Sequence, residues 1–225
     1  DFKSFFSHRG LDYSGEEVRL AKPISWQSVE ASLPPQVGCL DIRDFCHGGV
    51  AHFINNIDNT ILPVEDQRRL RPPSVMIEGD GWEEVAHGLV SRGLCQVVPE
   101  DSIFKVQGQV LLNGLFSVAK DEIKDGIPLS RLIMNLKPWN QVSRCLVGDV
   151  GTLPSVTQLG ALHLHDDDVL VTSSEDLRCF FYLFRTPPSW VKYMAFGKEV
   201  PSSLVPMGGE GKKWYLAGQD RKSVV

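Results

Sequence analysis

An α+β fold is predicted by three observations. A single well-formed amphipathic helix stands near residue 81. It is followed by short Val-, Leu-, Ile- and Phe-rich segments divided by Gly, Asp and Pro, and the composition is that of an ordinary globular chain. Of 225 residues, 42% are hydrophobic and 23% charged, with 20 Gly and 14 Pro. That length suits one large domain or two small ones. The composition excludes a collagen, a disulfide-stapled miniprotein and wholesale disorder.

Residues 1–80 mix short apolar runs with turn signals at Pro34-Pro35, Gly48-Gly49 and Pro72-Pro73, and read as an extension with short helices. The clear helix covers about 81–92. Asp80 is positioned to cap it with Glu83 completing a capping box, Trp82, Val85, Ala86, Leu89 and Val90 recur at helical spacing, and Gly93 supplies a left-handed stop. Strands are expected at 94–98, 103–106, 110–119 and 131–136, with Lys124-Asp125-Gly126 as a turn. Residues 169–173 read as a strand and 176–184 as a short buried helix stopped by Pro187-Pro188. Residues 191–196 return to strand. Strand, acidic residue, helix, strand is the unit with chemistry in it.

No apolar run approaches the ~18–20 residues that span a bilayer, and no secretory signal pattern opens the sequence. Five cysteines, widely spaced and without a C-x-x-C pair, fit buried thiols in a reducing compartment. These features predict an intracellular protein, cytoplasmic or nuclear, with no membrane partner. The net charge of −5 conceals a division. Residues 1–102 carry 9 basic and 16 acidic side chains, 103–148 carry 6 and 3, 149–189 carry 2 and 6, and 190–225 carry 6 and 3. Basic segments bracketing an acidic one suit a site where carboxylates bind cations while Lys and Arg meet phosphates.

Four blocks in order then resemble the reverse transcriptases of retroelements and retroviruses over about residues 82–196. The helix ends in Val90-Ser91-Arg92-Gly93-Leu94-Cys95, similar to the entry into the fingers. Phe116–Lys120, Lys124-Asp125-Gly126 and Arg131–Asn140 resemble the fingers hairpin. Leu153-Pro154-Ser155 resembles the opening of the helix leading to the palm. Asp176–Tyr182, with Lys192–Phe196 behind it, resembles the first palm motif. The order of the blocks carries the resemblance more than any single motif.

The resemblance implies partial polymerase fingers and palm subdomains with an N-terminal extension. Residues 1–80 form the extension, 81–150 are fingers-like, 151–217 a partial palm, and 218–225 a tail unlike the family. It implies RNA-directed DNA polymerisation with Mg²⁺, a primed RNA or DNA template and deoxynucleotides. Asp176 becomes a catalytic metal ligand, with the Leu177 carbonyl as a further donor, because hard divalent ions take oxygen ligands. Lys124 and Arg131 would cross the incoming triphosphate, Phe181 would exclude a ribose 2′-hydroxyl, and Cys179 would meet the triphosphate through its backbone N–H. Read without the resemblance, Asp176 is a helix N-cap, Lys124 and Arg131 are surface cations, and Phe180 and Phe181 are core residues.

The family carries two further aspartates in a downstream hairpin. After Phe196 this sequence has Glu199, Glu210 and Asp220 but no aromatic-x-Asp-Asp, so the similarity stops within the palm. The expectation is a chain that does not polymerise DNA alone. The alternative is a non-catalytic remnant that binds nucleic acid or protein. Three lookalikes are set aside. His163, His165 and Asp166-Asp167-Asp168 have the spacing of a polar turn. Cys46, His47 and His52 lack a second ligand pair. Gly208–Lys213 lacks the spacing and the Ser/Thr of a phosphate loop.

Overall fold

The computed structural model describes residues 20–144, 163, 165, 167–169, 171, 173 and 179–218. Helix α1 spans Trp26–Glu30, strand β1 Leu40–Asp41, helix α2 Gly48–Asn55 and helix α3 Trp82–Ser91. Trp82, Val85, Ala86, Gly88 and Leu89 give α3 its buried face. Its end follows from Gly93, which at φ 71° turns left-handed. Gly93 N–H then reaches Val90 O (3.0 Å) and Leu94 N–H reaches Leu89 O (2.9 Å), satisfying carbonyls that the last turn leaves open.

The other end departs from expectation. Gly81 occupies the N-cap and no side chain caps the helix. A tight turn, closed by Gly81 N–H to Glu78 O (3.1 Å), carries the chain into the helix and leaves Asp80 one residue short of the cap. Glu83 and Glu84 in the first turn still oppose the positive end of the helix dipole.

Strands β2 (Cys95–Pro99), β3 (Lys105–Val106), β4 (Gln109–Val110), β5 (Gly114–Lys124) and β6 (Ile127–Asn135) follow, then the short helix α4 (Lys137–Asn140). Beyond them lie β7 (Phe184–Arg185), β8 (Ala195–Glu199) and β9 (Trp214–Gly218). β9 is the centre of an antiparallel sheet ordered β2-β9-β8. β5 and β6 form a long hairpin, and β1 pairs in parallel with β7. The described residues thus define an α+β protein.

The 110–119 segment expected as one strand is divided by a break around Leu111 and Leu112, and β5 runs on to Lys124. The largest core joins Trp26 and Val29 of α1 with Val85 and Leu89 of α3, Leu115 and Leu132 of the hairpin and Leu216 of β9. Residues of the first eighty therefore supply core side chains. Backbone bridges at Lys22–Ser117 and Val75–Leu115 stitch the same stretch to β5, and one at Ile24–Ile77 ties two parts of the stretch together.

Three further expectations change. Residues 179–184 do not form a buried helix: Cys179 is left-handed (φ 58°), a 3₁₀ turn covers Phe180–Leu183, and Tyr182 alone in that turn is buried. A left-handed residue stops an α-helix from running through it, and a 3₁₀ turn is too short to bury a continuous face. Phe180 and Phe181 are consequently surface residues, 38% and 60% exposed, rather than core. Pro188–Tyr193 is also 3₁₀, so the strand expected over 191–196 begins at Ala195. In the strand expected at 169–173, the described residues Val169, Val171 and Ser173 are exposed and unpaired in any strand.

Candidate functional site

The hairpin positions two of the expected nucleotide-binding residues. Its tip is a two-residue turn in which Asp125 (φ 53°) and Gly126 (φ 80°) are both left-handed, the geometry that matches strand twist in a tight hairpin. Lys124 pairs with Ile127 across the turn, and Arg131 pairs with Val118. Side chains alternate along a strand, so Ile127 and Arg131, four residues apart on β6, face the same way, and Lys124 joins them through its pairing. Lys124 and Arg131 therefore share one face of the ribbon, separated along it by about 13 Å. Both are exposed.

The tip is not a simple cationic surface. Lys120 and Lys124 sit there among Asp121, Glu122 and Asp125. Between Ala119 and Ile123 the register shifts, leaving β5 with extra residues and bending the arm.

Cys179 is linked to the hairpin through Ser32. Its thiol donates to Ser32 O (3.4 Å), and Ser32 Oγ donates to Ser130 O (2.7 Å), the neighbour of Arg131. Ser32 follows α1, so α1 sets the spacing between the 179–183 turn and β6. Phe181 touches Phe180 edge-on at 5.9 Å, Phe180 touches Phe184 at 4.9 Å, and Phe184 touches Phe45 at 5.6 Å. This aromatic row runs along the β1–β7 ribbon, beside the Asp41–Arg43 pair. The Arg43 guanidinium and its backbone N–H hold the Asp41 carboxyl down to about 2.

Asp176 and Leu177, the expected metal ligands, lie outside the described residues. Among the described residues no three His, Cys, Asp or Glu side chains converge on a point where a metal could sit. His165 and Asp168 bond to each other in a turn, His165 N–H to Asp168 Oδ2 at 2.9 Å and Asp168 N–H to His165 O at 2.9 Å. In the Gly208–Lys213 loop, Lys212 faces Asp101 (3.8 Å) and Lys213 faces Glu199 (3.4 Å), so both lysines already have carboxylate neighbours.

Sequence reasoning missed a second cationic surface. Arg68, Arg69 and Arg71 run past α4, where Arg71 and Lys137 line one cleft and Arg68, Asn140 and Gln141 line another. The signal was present as the run Arg68-Arg69-Leu70-Arg71-Pro72-Pro73. Summing charge over residues 1–102 buried it under a net acidic total. Also missed was Asn113, fully buried between β5 and β8. Its Nδ2 donates to Tyr193 O (2.8 Å) and Ala195 O (3.2 Å), and its Oδ1 accepts Trp139 N–H (3.3 Å).

The fold class is α+β. Compared with models of known protein families and with curated proteins, the chain matches none.

Proposed function

We propose that this chain is the fingers and part of the palm of a reverse-transcriptase-like protein, binding nucleotide and primed template but not polymerising DNA alone. One observation carries the reading: the Cys179–Ser32–Ser130 chain of hydrogen bonds ties the turn bearing Phe181 to the strand bearing Arg131. A planar donor fork, a point charge at Lys124 and an exposed ring are the groups that a deoxynucleoside triphosphate requires. The ordered motif resemblance supplies the rest. Mg²⁺ enters this reading through Asp176 and the Leu177 carbonyl. In the family such ions stabilise the attacking and leaving oxygens of nucleotidyl transfer.

The test is triphosphate binding followed with a fluorescent deoxynucleotide. Lys124→Ala with Arg131→Ala is expected to weaken it by about tenfold or more, since charge-assisted bonds contribute roughly 1.5–3 kcal/mol each. Unchanged affinity, or none in the parent chain, would sink the reading. Primer extension dependent on Asp176 would overturn the claim that the chain is inactive by itself.

The second reading, a non-catalytic binding module, is favoured by the mixed charge of the hairpin tip. Carboxylates at 121, 122 and 125 beside Lys124 oppose a triphosphate there. On that reading the aromatic row and the basic surface matter, and the hairpin variants leave nucleotide affinity unaltered.

A further inference from the structure

We propose that the groove between residues 66–73 and α4 holds the phosphate backbone of a single nucleic-acid strand. The groove has a rigid wall. Leu70 is 5% exposed and packs into the core that contains Trp139 and Val142. Two hydrogen bonds to Gln141 fix the same stretch, Arg68 N–H to its backbone O (3.4 Å) and Arg71 N–H to its side-chain Oε1 (3.1 Å), and just before it Leu62 N–H reaches Val142 O (2.8 Å). With Leu70 anchored inward, the arginines on either side of it project from a fixed backbone.

Two clefts open along this wall. One, of about 150 Å³, is lined by Arg71, Ser74, Asn135 and Lys137, with Gly114 and the prolines beside them. The other, of about 400 Å³, is lined by Arg68, Asn140 and Gln141, with Leu62 and Asp66. The first is well below the ~300–1,000 Å³ of small-molecule sites, which fits a phosphate group better than a whole nucleotide. The polar linings divide into arginine and lysine cations, which suit phosphate oxygens, and amide or hydroxyl groups, which suit sugar and phosphate contacts.

The charges are available. Arg68, Arg69, Arg71 and Lys137 are exposed, and among the described residues no ion pair engages them. Arg43, Lys192, Lys212 and Lys213 do face carboxylates. Asp66 is the one acidic residue lining either cleft, so the surface is cationic although the whole chain is not. Several cations along two adjoining clefts match a repeating anion, which a nucleic-acid strand is and a lone phosphate is not.

The experiment is binding of a labelled 20-nucleotide strand to the full chain at several salt concentrations. The parent is expected to bind with affinity that falls as salt rises. Arg68→Ala/Arg71→Ala/Lys137→Ala should lower the salt slope by roughly 2, about 0.7 for each lost single-strand phosphate contact, and weaken binding at least tenfold at low salt. Arg68→Lys/Arg71→Lys should keep the slope, and Lys212→Ala/Lys213→Ala should change neither quantity. All are surface changes, and thermal melting verifies that each variant is folded. An unaltered slope in the triple variant, absence of binding in the parent, or equal competition by inorganic phosphate or polyglutamate overturns the proposal.

The choice of nucleic acid as the anion rests on the polymerase-like reading, yet the two fail separately. Loss of strand binding in the groove variant with no triphosphate effect at Lys124 and Arg131 removes the reading and keeps the groove. The reverse pattern removes the groove and keeps the reading.

Discussion

The Trp26 indole lies across Gly88 of α3 so closely that a Cβ added there would sit 2.1 Å from Trp26 Cε2. Glycine inside a helix costs about 1 kcal/mol relative to alanine, so the local preference opposes it. The close approach explains its presence: α1 can pack on α3 only where the helix has no side chain. That contact reaches the candidate site, because Ser32, just beyond α1, bridges Cys179 to Ser130. A small residue in one helix thus sets the spacing of a surface far from it.

Gly88→Ala is therefore expected to destabilise the fold by about 1–3 kcal/mol through overpacking, despite alanine's better helix propensity. Urea denaturation measures this. In a Trp26→Leu background the same substitution should cost much less, since the ring that blocks the Cβ is gone. Equal costs in both backgrounds would show that the indole is not the obstacle.

Asp58 makes the fold sensitive to acid and Tyr193 to alkali. Tyr193 Oη donates to Asp58 Oδ1 (2.6 Å), and Lys192 Nζ lies 3.0 Å from the same carboxylate. The tyrosine hydroxyl, then the lysine, lower the Asp58 pKa against the opposing effect of burial. A lowered folded pKa means that the unfolded chain binds more protons as pH falls through the ordinary carboxylate range. The stability contributed by Asp58 is present above that range and lost below it. Asp58 is largely exposed, so the contribution is about 1 kcal/mol or less. Tyr193 is shifted upward, first by burial and then by Asp58, so its contribution persists through neutral pH and is lost as pH rises above about 10. Melting temperature across pH should fall at both ends, and Asp58→Asn should flatten the acid limb. An acid limb unchanged in that variant would assign the effect to other carboxylates.

Much of the architecture was legible where local chemistry and packing agree. The 82–91 helix shows its apolar spacing and its Gly93 stop, and the Asp125-Gly126 turn announces a hairpin. The aromatic run at 180–184 misled because a string of rings reads as core. Cys179 in a left-handed conformation and the parallel pairing of Phe184 with Leu40 turn two of those rings to the surface. No sequence period encodes that long-range pairing. The core side chains of the first eighty residues, Ile24, Trp26, Val29, Leu33, Ile54, Ile57 and Leu70, show no period of their own because they are scattered between turns and pack against later elements. Of the candidate site, Lys124, Arg131, Cys179 and Phe181 fall within the described residues and Asp176 and Leu177 do not. The groove cations were visible as a run, but only the fold brings Lys137 to them.

Gly126→Ala tests the hairpin as a positioning device. The left-handed conformation costs a side-chain-bearing residue roughly 1–2 kcal/mol, and space at the turn is open, so the penalty is strain without collision. Hydrogen exchange should speed up at the amides of 120–130 while those of α3 stay protected. Triphosphate affinity should drop if Lys124 depends on the turn for its placement. Faster exchange with undiminished affinity would detach nucleotide binding from the tip.

Asn113 joins three elements with one amide, and its substitution should be among the most damaging in the chain. Removal of its side chain leaves Trp139 N–H without its acceptor and takes donors from two carbonyls, so Asn113→Ala should cost about 2–4 kcal/mol. Asn113→Asp is more discriminating. At neutral pH it would set a buried carboxylate against Tyr193 O and Ala195 O, and burial without a cation raises the pKa of such a group. A folded pKa above the unfolded value means that the native state binds the extra proton, so this variant gains stability as pH falls toward 5, when the acid can donate to one of the carbonyls. Denaturation midpoints of parent and variant, compared at pH 5 and pH 7, should converge at the lower value. A constant difference would mean that the amide's donors do not set the stability of this junction.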